Sequence, residues 1–265
     1  MADRELHYLY DKKICIAFYP NSHRYKREGR NCYEIGVTSI TGQLDKPGLI
    51  YWATGLARDY LLDRLDQGLP IDRESISYAS GIHKEVKEKS ATLGSAVHLW
   101  IEQWTKGENP PIPQHPFDEF TEEEVGKIVS GIMAFLKWVQ DHNVKILHAE
   151  KLVYSMKHGF VGTLDAIAEV DGKKCLIDYK TSKGIYTEMR YQTVAYKKAY
   201  EEETGQIIHG GRWIIRLDKE TGDFQAVFLP VSDDEPDYKA FLGLLEVKQR
   251  SKQLYEWEKQ VKLNS

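Results

Sequence analysis

Three carboxylates and one lysine near the middle of the chain have the types and spacing that chemistry requires. Asp165 sits in the apolar stretch Leu164-Asp165-Ala166-Ile167, and Asp178 in Leu176-Ile177-Asp178-Tyr179, with Lys180 two residues on. Between them, Asp171-Gly172 is a strong short-range signal for a two-residue hairpin loop. If that loop faces Val170 with Lys173, the register carries Asp165 opposite Asp178 and puts Lys180 on the same face. A four-residue loop from Met156 to Gly159, pairing Ser155 with Phe160, adds Glu150 opposite Asp165. Directly opposed like charges, with Cβ atoms roughly 4.5–5.5 Å apart, destabilise a sheet, and bare carboxylates among apolar residues are costly. A hard divalent cation among the oxygens removes both penalties, since Mg²⁺ is commonly held by one or two carboxylates with water and substrate phosphate completing its shell. A neighbouring ammonium can orient or deprotonate an attacking water, or stabilise charge developing at phosphorus. Metal-dependent phosphodiester hydrolysis is the natural use of such a set. The bland reading, a solvated Asp178–Lys180 pair on a surface hairpin, fits the apolar flanks poorly.

The elements that must position these residues follow from periodicity. Residues 146–155, 160–170 and 173–181 read as three consecutive antiparallel strands. A helix over about 188–203, ended by Gly205, leads to strands near 207–217 and 223–229 and a last charged helix over about 236–263. Upstream, residues 1–45 are β-rich and aromatic, with strands over 14–19 and 33–40 flanking a basic turn region at 21–30. Helices are expected over about 49–65 and 82–104, the second ended by the proline-rich stretch 109–116. Thr121 and Glu124 form a capping box, and Val125, Ile128, Val129, Ile132, Leu136 and Val139 recur behind it at helical spacing. This order predicts an α/β fold. Two units are expected: an N-terminal β-rich and helical extension over 1–80, a candidate DNA-binding lobe, and a core over 81–265 with a C-terminal helix.

At this point the residues resemble a known family. Gly162-Thr163-Leu164-Asp165-Ala166, followed by Ile177-Asp178-Tyr179-Lys180-Thr181-Ser182-Lys183, is similar to the core signature of the PD-(D/E)xK nuclease superfamily, in its RecB-like, phage-type exonuclease branch. That branch carries a helical Gly-x-x-x-His upstream, matched by Gly94-Ser95-Ala96-Val97-His98, and a Gln-x-x-x-Tyr helix downstream, matched by Gln192-Thr193-Val194-Ala195-Tyr196. Four elements in order are far more specific than any one alone. The resemblance spans roughly residues 90–230; Val37-Thr38-Ser39-Ile40 and Trp52 are similar, less specifically, to the N-terminal part of phage members.

The resemblance implies a restriction-endonuclease-like core, a central mixed β-sheet flanked by helices. It implies that Asp165 and Asp178 bind Mg²⁺ or Mn²⁺, with the backbone carbonyl of Tyr179 and the imidazole of His98 as further ligands and Glu150 assisting directly or through water. Lys180 would be the catalytic lysine. Gln192 and Tyr196 would contact DNA near the scissile phosphate, beside Thr181, Ser182 and Lys183. The activity implied is a DNA exonuclease of recombination, repair or phage DNA metabolism, acting on single strands or duplex ends and leaving 5′-phosphate and 3′-hydroxyl termini. A structure-specific flap or branch endonuclease and a catalytically silent DNA-binding module on the same fold stay open as alternatives, and the complete Asp165/Asp178/Lys180 set argues against the silent one.

Composition bounds the rest. The chain has 265 residues, 42% hydrophobic and 29% charged, and a net charge of −4, which is ordinary globular composition and unlike a general nucleic-acid coat. Three widely spaced cysteines, Cys15, Cys32 and Cys175, are too few for an iron–sulfur cluster and suit a reducing, cytoplasmic compartment, including that of a phage's bacterial host. No membrane span or leader is expected. No GxxxxGK[ST], HExxH or GxSxG stretch occurs, and His148-Ala149-Glu150 lacks the PCxxC of a zinc deaminase. Tyr8, Tyr10, Tyr19, Tyr25 and Tyr33 interleave with Lys12, Lys13, Arg24, Lys26, Arg27 and Arg30, a mixture that suits single-strand binding and equally suits a tyrosine-rich hairpin. Trp100, Trp104 and Trp138 read as packing aromatics. The acidic runs at 122–124, 201–203 and 233–235 are expected to face away from DNA.

Overall fold

A computed structural model describes residues 4–117 and 120–263. The chain opens with a three-stranded antiparallel sheet, β1 (Glu5–Leu9), β2 (Ile14–Tyr19) and β3 (Arg24–Arg27). β3 replaces the turn expected there because Tyr25 is buried and stacks on Phe18, with ring centroids 4.9 Å apart. Of the strand expected over 33–40, only an isolated bridge at Tyr33 and the short β4 (Ile35–Gly36) pair, and α1 (Val37–Thr41) follows. Val37, Ile40 and Thr41 are its buried residues, a helical spacing that the β-branched composition masks.

α2 (Pro47–Asp66) and α3 (Arg73–Thr105) form a long helical hairpin. α3 starts well before residue 82 because Asp72 and Ser75 cap it reciprocally: Ser75 N donates to Asp72 Oδ1 and Asp72 N to Ser75 Oγ, both at 2.9 Å. α3 therefore runs unbroken through residue 80. α2 buries no residue completely. α4 (Glu122–Asp141) starts at the expected capping box, with Thr121 N donating to Glu124 Oε2 at 2.8 Å.

The main sheet contains β5 (Lys145–Ser155), β6 (Phe160–Val170), β7 (Lys173–Lys180), β8 (Arg212–Leu217) and β9 (Phe224–Leu229), with α5 (Thr187–Thr204) between β7 and β8 and α6 (Asp234–Leu263) last. β4 lies parallel to β6 and β8 parallel to β7, while the other pairings are antiparallel, so the sheet is mixed and flanked by helices, as a restriction-endonuclease-like core requires. Both expected registers hold, with Val170 opposite Lys173 and Ser155 opposite Phe160. β8 begins at Arg212 rather than near 207 because Gly211, just before it, takes a left-handed backbone (φ 83°) that interrupts an extended strand.

α3 and α4 cover one face of the sheet, burying Val97, Ile128, Ile132, Phe135 and Trp138 against Ala166, Ile177 and Tyr179. α1, α5 and α6 cover the other, around Leu164, Ile167, Leu176, Ala199 and Phe241. An internal ionic cluster fixes α5. Arg212, fully buried, donates from Nε to Asp234 Oδ1 (2.8 Å), from Nη2 to Asp237 Oδ2 (2.7 Å), and from Nη1 to Arg190 O (2.8 Å) and Thr193 Oγ1 (2.9 Å). Lys197 also pairs with Asp234. Part of the acidic excess expected to face away from DNA is thus spent inside the fold. No helix among the described residues is long and apolar enough to cross a membrane.

Candidate active site

The site forms where β7 leaves β6. The β6–β7 pairing ends at Ala166 and Ile177, whereas β7 stays paired to β8 as far as Lys180. Asp165 and Asp178, the next pair in register, therefore flank a gap. Across it Tyr179 N donates to Asp165 Oδ2 at 2.6 Å. On the other side of β6, Lys151 faces Leu164 and Ala149 faces Ala166, which brackets Glu150 opposite Asp165. Glu150 takes a left-handed backbone (φ 46°), unusual for a residue with a side chain and of the kind that costs on the order of 1 kcal/mol or more.

α3 brings the imidazole. Its Gly94 packs on the end of β7 so closely that a Cβ there would lie 2.5 Å from Thr181 Oγ1, and His98, one turn later, enters the gap. His98, Glu150 and Asp165 each offer one ligand atom, all within 4.8 Å of one another. They line a cleft of about 420 Å³ together with Gly94, Glu102 and Thr181. Asp178, 1% exposed, pairs instead with Lys180, whose Nζ lies 2.6 Å from Oδ2. Neither Asp178 oxygen accepts a well-directed hydrogen bond.

The charges explain the titration behaviour. Burial, then Asp165 and Glu102, push the Glu150 carboxyl up to about 8. Burial also raises Asp165 and takes Asp178 to about 6, against the opposing pull of Lys180. Burial works against the Lys180 ammonium, but Asp178 and Asp165 outweigh it and hold the lysine protonated. His98 falls to about 4 through burial and the positive charge of Lys180, so its imidazole is neutral at pH 7. A neutral imidazole, two carboxyls that resist ionising beside each other, and a buried carboxylate short of hydrogen bonds form a donor set that fits a divalent cation.

The remaining expected residues divide. Gln192, half-buried on α5, donates from Nε2 to Tyr196 Oη at 3.0 Å. Tyr196 is only 3% exposed, and its ring fills the space left by Gly162, where a Cβ would lie 2.5 Å from Tyr196 Cε1. It forms a wall behind the strand rather than an open contact. Ser182, half-buried, is tied into its own loop, donating to Gly184 O at 2.8 Å, while Lys183 is exposed. Trp138 and Trp100 are buried, as packing aromatics should be.

Sequence reasoning missed Glu102, which lines the cleft one turn beyond His98 and pairs with Lys106. Its i, i+4 spacing from His98 is the signal that could have found it. Tyr25, one of the interleaved aromatics of the N-terminal hairpin, is buried and reaches to within 3.3 Å of Thr163 Oγ1, two residues before Asp165.

A family model described as the PD-(D/E)XK nuclease superfamily matches residues 75–262. No curated protein matches the chain.

Proposed function

Because the chain belongs to the PD-(D/E)XK nuclease superfamily, whose members are metal-dependent nucleases acting on nucleic acid, we propose that it is a DNA exonuclease using Mg²⁺ or Mn²⁺. The observation that carries this reading is the meeting of His98, Glu150 and Asp165 within 4.8 Å, beside the buried Asp178–Lys180 pair in the same gap of the sheet. His98, Glu150, Asp165, Asp178 and the backbone carbonyl of Tyr179 would hold the ion. When bound, it supplies Lewis acidity at the phosphate and lowers the pKa of an attacking water.

The chain's own groups do the rest. Lys180 keeps its proton and sets a fixed positive charge where negative charge develops on the phosphoryl oxygens. Asp178 holds that ammonium in place. His98 stays neutral, so it can donate a lone pair at physiological pH. Gln192, tied to Tyr196, offers its amide at the edge of the site, and Thr181, Ser182 and Lys183 form the loop that meets the strand. Hydrolysis leaves 5′-phosphate and 3′-hydroxyl ends, and the role is in recombination, repair or phage DNA metabolism.

The test is one assay on end-labelled single- and double-stranded DNA with Mg²⁺. Terminal nucleotides should be released, EDTA should stop release, and a circular single strand should survive. Cutting of the circle would assign an endonuclease instead. Undiminished release in EDTA would refute the metal site.

A further inference from the structure

The N-terminal sheet has two chemically different faces. Its inner face, carrying Ile16 and Tyr25, packs on Leu152, Tyr154 and Val161 of the main sheet. Register assigns the outer face. Tyr8 stands opposite Cys15, Ala17 lies between Leu6 and Lys26, Tyr19 stands opposite Arg24, and an isolated bridge adds Tyr33 beside Lys26. The same register brings Glu28 beside Cys15 on this face, and its carboxylate is already neutralised by Arg4, whose Nη1 lies 3.0 Å from Oε1.

Two rings and a cation meet at one end of this face, and Tyr8 adds a third ring further along it. The Arg24 guanidinium carbon lies 5.1 Å from the centroid of the Tyr33 ring, and the Tyr19 ring meets Tyr33 edge-on, with centroids 6.0 Å apart. Tyr8 is 58% exposed and Tyr33 44%. Among the described residues, neither Arg24, which is exposed, nor Lys26, which is half-buried, is in an ion pair. Exposed rings stack on unpaired bases, and adjacent cations neutralise the phosphates between them. A duplex hides its base faces and cannot use the rings. β3 touches the site only from its other face. Tyr25, which lies between Arg24 and Lys26 on β3, points inward to Thr163, two residues from Asp165.

We propose that the outer face of the N-terminal sheet is a holding surface for single-stranded DNA. This rests on the nuclease reading, because a DNA strand is the occupant that reading supplies.

The test measures binding with no cleavage, in EDTA, by fluorescence anisotropy of the full-length chain on a labelled oligo(dT) of about 30 nucleotides and on a blunt duplex of similar length. The double variant Arg24→Ala/Lys26→Ala should weaken single-strand binding about tenfold or more. It should also flatten the dependence of log K on log salt by roughly 1.4, since each phosphate-neutralising cation contributes about 0.7 on a single strand. Tyr8→Ala/Tyr33→Ala should weaken binding about tenfold and leave that slope unchanged. If the tyrosine pair fails to fold, the charge pair decides. Single-strand affinity and slope unchanged in the folded variants would overturn the proposal, as would an equal loss on the duplex. Cleavage by the unmodified chain with Mg²⁺ is scored separately. An inactive protein that still binds through this face refutes only the nuclease reading, and an active one whose variants bind normally refutes only the holding surface.

Discussion

Glu150 is held where its protonated form is favoured, so Glu150→Gln should make the metal-free protein more stable while removing its activity. Burial, Asp165 and Glu102 lift the carboxyl from its ordinary 4.5 to about 8. Between those two values the folded chain keeps a proton that the unfolded chain has released. Stability present at low pH is therefore lost as pH rises from about 4.5 toward 8. At pH 7 the loss comes to about 3 kcal/mol for this one group. Glutamine keeps the shape and the left-handed backbone but never ionises, so it recovers most of that amount. For a chain of this size, 1 kcal/mol moves Tm by about 2–4 °C, which gives a rise of about 6–10 °C. Asp178, raised to about 6, acts with the same sign over a lower range in both proteins and does not confuse the comparison. The assay is thermal unfolding in EDTA at about pH 5 and pH 8: the variant and the parent should nearly coincide at the lower pH and separate at the higher. Added Mg²⁺ should stabilise the parent more than the variant. A variant no more stable than its parent at pH 8, or a parent whose Tm does not fall between pH 5 and 8, would refute the reasoning.

Three further outcomes are expected. Lys180→Ala removes the fixed cation beside Asp178 and should lower the cleavage rate about 10²–10³-fold, read on end-labelled DNA, with the far-UV spectrum unchanged. Gly94→Ala places a Cβ 2.5 Å from Thr181 Oγ1 and should cost about 1–3 kcal/mol in denaturant unfolding, along with activity, because His98 is displaced; adding Thr181→Ala should restore much of the stability. Arg212→Met leaves Asp234 to Lys197 and Asp237 to Arg190 alone and should cost about 3 kcal/mol in urea unfolding, and a loss below 1 kcal/mol would show that the cluster does not hold α5.

The hairpin that carries the chemistry was legible because its information is local. Asp171-Gly172 sets the β6–β7 register, and the loop before Phe160 sets β5–β6, so the opposition of Glu150, Asp165 and Asp178 follows by counting. Counting cannot show that β7 peels away from β6 beyond Ala166, nor that Glu150 adopts a positive φ, because both depend on what packs around the strands. The same limit hid the true start of α3, where serine rather than glutamate completes the capping box, and the short β3, which exists because Tyr25 finds Phe18 and Thr163. It also hid the Arg212 cluster, whose members are scattered over α5, β8 and α6 and share no sequence pattern. Glycines in the motifs gained a cause: Gly94 and Gly162 are spaces occupied by Thr181 and Tyr196.

The bond from Tyr179 N to Asp165 Oδ2 gives the site a spectroscopic reporter of its own. A backbone amide 2.6 Å from a carboxylate oxygen has a proton resonance displaced strongly downfield, and the displacement follows the charge on that oxygen. The Tyr179 cross-peak in an amide correlation spectrum should therefore shift as Asp165 ionises and again when a cation draws on the same carboxylate. A single nucleus then follows occupancy of the centre in solution with no substrate present.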